Sequence, residues 1–332
     1  MLSRREFLEV ASFSVVGLSS LHYSSNCAAS ENQYEWSPIR ENVGTFQGNG
    51  GTVAWLISDD AIVVVDTSVE DSAPHLLNEI RRHSKRKIDL TVNTHHHGLH
   101  TGGNIAFKEQ TGMLLAHENS KRNQELDYQR AGKRQRLFNL PEQFYPNATM
   151  MDEWTGTFGR ETVVVKHFGA AHTDGDVVVH FQRANVVHLG DIFYNGLAPF
   201  FDLQNGASFL KTIRVIEKIQ SYYDKDSKFI CGHTRADLPR VCGMADVKAF
   251  EDFLHRTREN VEAGIKSGRS REEIVEQPFV PGAKEWIGTI KSTLTAAYYE
   301  LAGHNTPVHT GINELEWFDV EQSCCCSTRR FG

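Results

Sequence analysis

The 332-residue sequence lacks an apolar run long enough to cross a bilayer as a helix. Its uncharged stretch from Val10 to Leu21 falls short of the roughly 20 residues that a span needs. It also lacks an excess of positive charge. Lys and Arg number 35 against 42 Asp and Glu, a formal net charge of -7, so no nucleic acid is expected as a partner. It has no disulfide framework. The six cysteines, Cys27, Cys231, Cys242, Cys324, Cys325 and Cys326, are too few and too unevenly placed for a small stapled scaffold. No short fixed period recurs, which excludes solenoids and propellers. No linker interrupts the chain before a polar tail after about Asn305. What remains is ordinary for a soluble domain, 40% hydrophobic and 23% charged, except that 16 residues are histidine, the commonest metal ligand.

The first residues read as an address. Ser3-Arg4-Arg5-Glu6-Phe7-Leu8 resembles a twin-arginine export signal, an apolar stretch follows, and Cys27-Ala28-Ala29 offers small residues for cleavage before Ser30. The expected division is residues 1–29 as signal, 30–305 as one domain, and 306–332 as a disordered, cysteine-containing tail. The mature protein is then expected outside the cytoplasm, periplasmic or extracellular, without a stable membrane span.

Strand-like runs occur at Thr52 to Ile57, Ala61 to Val65, Ile88 to Asn93, Gly112 to Ala116, Thr162 to Val165, Val177 to Phe181 and Asn185 to His188. Helical patterns occur at Ala73 to Ser84, Ser208 to Ser221, Ala245 to Lys266 and Lys284 to Ala302. Such alternation predicts an α/β layered domain. The stretch from Lys121 to Ala148, with Arg130, Lys133, Arg134 and Arg136, reads either as a lid over a site or as a solvated helix and loop.

The run His95-His96-His97-Gly98-Leu99-His100 follows the third of these strands. A metal site needs three or four N, O or S donors converging on one point. Alternate residues leaving a strand can point the same way, so His95 and His97 can reach one ion, while His96 is a spacer expected to point away. His100 can turn toward a second ion. Three further candidates, His172, Asp191 and His233, stand where strand-like runs give way to loops, which is where α/β folds gather ligands. His117 is expected to be packed or to support a ligand, and His180 and His188 to be structural. Phe193, Tyr194, Phe200 and Phe201, just after Asp191, line an apolar wall or fill the core.

In this order, His95, His97, His100, His172, Asp191 and His233 resemble the metal ligands of the metallo-β-lactamase superfamily, whose motif is H-x-H-x-D-H followed by His, Asp and His. Asp66 and Gly102-Gly103-Asn104 add to the likeness. The resemblance implies the αββα sandwich, two β-sheets flanked by helices. It implies a metallohydrolase in which hydroxide made from metal-bound water attacks the carbonyl of an ester, lactone, thioester or β-lactam in a small-molecule substrate. Zinc is the ion implied, one tight and a second weaker, with iron and manganese as alternatives.

One position departs. The family motif has Asp where this chain has Leu99, and leucine has no lone pair for a metal or a water. His95, His97 and His172 still make a three-nitrogen site with an open position. The second site keeps Asp191, His100 and His233. Asp191 or solvent then has to serve as the catalytic base. Three readings stay open, ranked hydrolase, degenerate metal binder, and mononuclear iron oxygenase. The last requires the Asp191 carboxylate to reach the first ion.

Overall fold

The computed structural model describes residues 34–135 and 144–303. The segments expected to be an export signal and a polar tail, with Cys27, Cys324, Cys325 and Cys326, and also Arg136, lie outside the described residues, as do the side chains of Arg130, Lys133 and Arg134.

Seven strands form the first sheet in sequence order: Glu35–Arg40 (β1), Val43–Gln47 (β2), Val53–Ile57 (β3), Ile62–Val65 (β4), Ile88–Val92 (β5), Thr111–His117 (β6) and Ala148–Met150 (β7). The first four are antiparallel neighbours, and β4 to β7 run parallel. The difference follows from what separates them. Ser58-Asp59-Asp60 is turn enough between β3 and β4. Between the parallel strands lie helices: Ala73–His83 (α1), the short pair Gly98–Thr101 (α2) and Asn104–Phe107 (α3), and Glu118–Gln135 (α4). A parallel neighbour needs such a crossover, whereas an antiparallel one needs only a turn.

The chain continues through Glu153–Phe158 (β8), Glu161–Lys166 (β9), Val178–Phe181 (β10), Val186–His188 (β11), Tyr194–Asn195 (β12), Leu197–Ala198 (β13), Phe209–Tyr222 (α5), Lys228–Ile230 (β14), His233–Thr234 (β15), Val241–Cys242 (β16), Met244–Lys266 (α6), Arg271–Val275 (α7), Ile287–Gly288 (β17) and Ile290–Leu301 (α8). The second sheet has the order β16-β14-β11-β10-β9-β8, while β12 pairs with β15 and β13 with β17.

The sheets pack face to face. Val63, Val65, Leu90, Val92 and Leu115 of the first meet Val163, Val165, Val179 and Phe181 of the second. The alternate residues Ile62 and Val64 face outward, against Leu76 and Ile80 of α1. Val187 and Phe229 face outward from the second sheet, in one cluster with Ile213, Ile216, Phe250 and Leu254 of α5 and α6. Each such buried side chain contributes about 1.5–3 kcal/mol. This is the αββα sandwich expected.

Three expectations need correction. The last helix starts at Ile290 rather than Lys284, because Ile287 and Gly288 pair with Leu197 and Ala198, and Gly288 sits at φ 94, outside helical backbone. The second half of the histidine run is not loop but the single turn α2. Strands β1 and β8 were not anticipated. The first carries Pro38 beside a register shift, and the second has exposed residues alternating with half-buried Trp154, Gly156 and Phe158.

The site follows from topology. Parallel strands point their carboxyl ends the same way, so Asp66 after β4 and His95 and His97 after β5 emerge at one edge. In the second sheet β11 and β14 are also parallel, which brings Asp191 and His233 out together. Such an edge is where α/β proteins bind ligands.

Candidate metal centre

All six predicted ligands converge. His95, His97, His172 and Asp191 form one group whose donor atoms lie within 4.8 Å of one another, and His100, Asp191 and His233 form a second. His95 and His97 leave β5, and His97 is the N-cap of α2, which turns His100 inward. His172 comes from the β9–β10 loop, Asp191 from a single 3-10 turn after β11, and His233 from the start of β15. Asp191 belongs to both groups: its Oδ2 is 3.8 Å from His95 Nε2, 3.6 Å from His172 Nε2 and 3.4 Å from His233 Nε2. The carboxylate therefore reaches the first group as well as the second, as a bridging residue would.

In the first group every outward ring nitrogen meets an oxygen. His95 Nδ1 is 3.0 Å from Thr94 Oγ1, whose own proton goes to Asp66 Oδ2, so the ring donates to the hydroxyl. His172 Nδ1 donates to the Phe200 carbonyl at 2.7 Å, and His97 Nε2 donates to Asp202 Oδ2 at 3.0 Å. A neutral imidazole that donates outward presents a lone pair inward. His97 Nδ1 and His172 Nε2 face each other at 2.9 Å, and among the described residues buried His95 Nε2 has no hydrogen-bond partner. Donors from four side chains that converge within 4.8 Å, with a buried His95 Nε2 left unpaired among them, fit a metal ion. Burial disfavours a proton on two of these rings: it holds His95 well below the usual histidine range and pushes His172 down to about 3.

The second group is charged. Burial disfavours a proton on His100, but the carboxylates of Asp191 and Asp66 outweigh it and raise its pKa to about 9. His100 Nδ1 is 2.7 Å from Asp66 Oδ2, and Nε2 is 3.1 Å from Asp191 Oδ1 and 3.3 Å from His233 Nε2. Against its own burial, Asp191 is held well below the usual carboxylate range by His233 and His100. Its Oδ2 also accepts the Tyr194 hydroxyl at 2.7 Å. Asp66 adopts a left-handed backbone (φ 66), a conformation that costs energy and recurs at functional sites. From there it also accepts Thr94 N–H at 2.8 Å. Two glycines make room: a Cβ on Gly232 would lie 1.9 Å from Asp191 Oδ1, and one on Gly51 would lie 2.2 Å from the His100 ring.

His96 is outside both groups, as a spacer should be, yet it is buried. Its Nε2 lies 3.1 Å from Asp202 Oδ2 and 3.4 Å from Asp127 Oδ2 of α4. Leu99 is half-buried and belongs to none of the hydrophobic clusters. His188 is structural, bonding Thr52 O and Gly190 N, while His117 packs on His167 and half-buried His180 on Tyr223. Phe193 and Phe201 are core; Phe200 lies 5.9 Å from both His97 and His172 by ring centroids and is partly exposed. Cys231 and Cys242 are buried free thiols. Sequence reasoning missed Asp202, Asn205 and the polar role of Tyr194. Tyr194 stands three residues after Asp191, the one signal that pointed to it.

The solved structures that the chain resembles share this fold. The DIM-1 metallo-beta-lactamase superposes with a TM-score of 0.55 at 16% identity, over 67% of this chain and 97% of that one. A metallo-beta-lactamase from Pontibacter korlensis gives 0.54 at 19%, over 67% and 99%. A double mutant of the sec-alkyl sulfatase PisA1 gives 0.62 at 15%, over 85% of this chain and 52% of that one. A hydroxyacylglutathione hydrolase of Prochlorococcus marinus (strain MIT 9301) is 24% identical over 185 residues, 54% of this chain. The match spans 64% of that relative's length. Residues 48–233, more than half of the chain, match the Metallo-beta-lactamase superfamily profile, and the chain belongs to that superfamily.

Proposed function

We propose that the protein is a metal-dependent hydrolase in which His95, His97 and His172 hold one tight zinc ion, while Asp191, His100 and His233 hold a second, weaker one. The observation that carries this reading is the convergence of His95, His97, His172 and Asp191 on one point, with donor atoms within 4.8 Å of one another and buried His95 Nε2 unpaired. Three imidazole nitrogens with an open position are the ligand set of a catalytic zinc. Zinc bound there supplies a water of pKa about 7 and polarisation of a carbonyl oxygen.

The remaining work falls to the chain's own groups. Asp191 is ionised, buried and shared by both groups, so it is the base nearest the reacting atoms, and the Tyr194 hydroxyl restrains its Oδ2. His97 and Phe200 are partly exposed and mark the side from which substrate enters. A phenyl ring beside the nitrogens suits a small ester, lactone, thioester or β-lactam. The relatives' names, a hydroxyacylglutathione hydrolase, beta-lactamases and a sulfatase, are all hydrolytic. Export through the paired arginines Arg4 and Arg5 belongs to the same proposal. An Arg4→Lys, Arg5→Lys double variant is expected to stay uncleaved in the cytoplasm, and unchanged export would remove that part.

Elemental analysis of the purified protein, followed by a hydrolysis panel of those four carbonyl classes, tests the main claim. Between one and two zinc ions per chain are expected, with one class hydrolysed, the activity lost to chelator and restored by zinc. Bound zinc with no hydrolysis would make the protein a degenerate binder. A single iron with oxygen consumption would make it an oxygenase, for which the reach of Asp191 to the first group supplies the carboxylate.

A further inference from the structure

We infer that Asp202 is the positioning residue for the first ion: from the far side of the ring it holds His97 in the one tautomer that can bind metal, and His96 and Asn205 hold Asp202. The inference rests on His97 being a ligand. His97 would hold an ion through Nδ1, the atom that faces His172. A ring carrying its proton on Nδ1 cannot ligate there. Neutral imidazole can carry the proton on either nitrogen, so something must place it on Nε2. Asp202 does so with a carboxylate oxygen 3.0 Å from Nε2, an acceptor that has no proton to offer while ionised.

The surroundings of Asp202 show a built support. The residue is 3% exposed. Its Oδ2 also receives Asn205 Nδ2 at 2.7 Å and lies 3.1 Å from His96 Nε2. Its Oδ1 receives Asn205 N–H at 3.2 Å. A buried charge is tolerated when its lone pairs are filled by donors, and these supply them. Its backbone N–H bonds the carbonyl of His172 at 3.1 Å, so the segment that orients His97 is also tied to a second ligand. The burial of His96, unneeded in a spacer, is thereby explained.

The test compares wild type with Asp202→Ala, Asp202→Asn and His96→Gln. Three quantities are read: zinc affinity by chelator competition, zinc per chain at saturation, and the His97 tautomer by nitrogen-15 NMR of the metal-free protein. The wild-type ring is expected as Nε2–H. Asp202→Ala is expected to weaken the first ion about 10–100-fold, the usual effect of losing such a partner. It should also give mixed His97 tautomers at unchanged saturating stoichiometry. Asp202→Asn keeps one oxygen acceptor and is expected to fall between, and it carries the test if the alanine variant does not fold. His96→Gln is expected to have the smallest effect. Wild-type affinity with an Nε2–H ring in the Asp202 variants would overturn the inference. So would loss of one whole ion at saturation, because Asp202 would then itself be a ligand beside His96 and His97. Wild type that takes up no zinc yet shows the Nε2–H ring would sink the hydrolase reading alone, since the tautomer is read without metal.

Discussion

The two halves of the centre solve the same problem differently. Around His95, His97 and His172 each far nitrogen is tied to an oxygen, and burial disfavours a proton on His95 and His172. Around His100, Asp191 and His233 the groups compensate one another: His100 carries a proton between two carboxylates, and Asp191 is ionised against two histidines. The first half is arranged for a cation, whereas the second has a proton that the cation must displace. The proposed inequality of the two ions would then have two independent sources, the proton on His100 and the leucine at position 99.

The change with the largest expected effect on this contrast is His172→Ala. It removes an inward lone pair and should lose the first ion, and with it about 4 kcal/mol of stability when free zinc stands about 1,000-fold above Kd. Melting temperature with and without zinc reads this directly. A full zinc load in the variant would show that the halves are misassigned. Gly232→Ala comes next. Its Cβ would lie 1.9 Å from Asp191 Oδ1, so the shared carboxylate has to move, at a cost of about 1–3 kcal/mol and loss of the second ion. A crystal structure with Asp191 unmoved would refute it.

Leu99→Asp sharpens the comparison from the other side. A carboxylate there offers the second ion a fourth ligand and should bring the stoichiometry close to two, with higher turnover on the active carbonyl class. Unaltered stoichiometry with a lower melting temperature would mean that position 99 does not face the ions.

The smallest effect is one of pH. His100 is raised from 6.5 to about 9, so the stability it adds to the metal-free protein is complete below 6.5 and is lost as pH rises through about 9. Binding the second ion must expel that proton. Its occupancy should rise as pH climbs toward about 9, while the first ion, whose ligands His95 and His172 are kept neutral by burial, should respond less. Equilibrium dialysis across this window measures both, and parallel curves would erase the distinction.

How far the centre was legible depended on the kind of contact. His95, His97, Asp191 and His233 were readable because each follows a strand rich in apolar residues, and a strand end is a place that sequence can mark. The core strands β3, β4 and β5 were readable for the same reason, their Val, Leu and Ile content. Asp202 was not, because accepting a proton from the back of a ligand requires no spacing and no periodicity. The partners of His96 were hidden for a related reason: a residue between two ligands has no readable orientation until its partner in another loop is known. The β13–β17 pairing was hidden because two residues are too few for a pattern, and Ile287 and Gly288 sit beside a genuine helix.

The six residues of the centre come from both sheets, and that has a consequence for how the chain folds. His95, His97 and His100 belong to the first half, and His172, Asp191 and His233 to the second. During synthesis the early half emerges first, and the centre stays incomplete until β14 and His233 have followed. An ion that then binds fastens the late half to the early one, as a clasp fastens two covers, and resists their separation. Hydrogen exchange should register this as one cooperative unit: with zinc, the amides of β5 and β11 should open together, and without it β11 should open first.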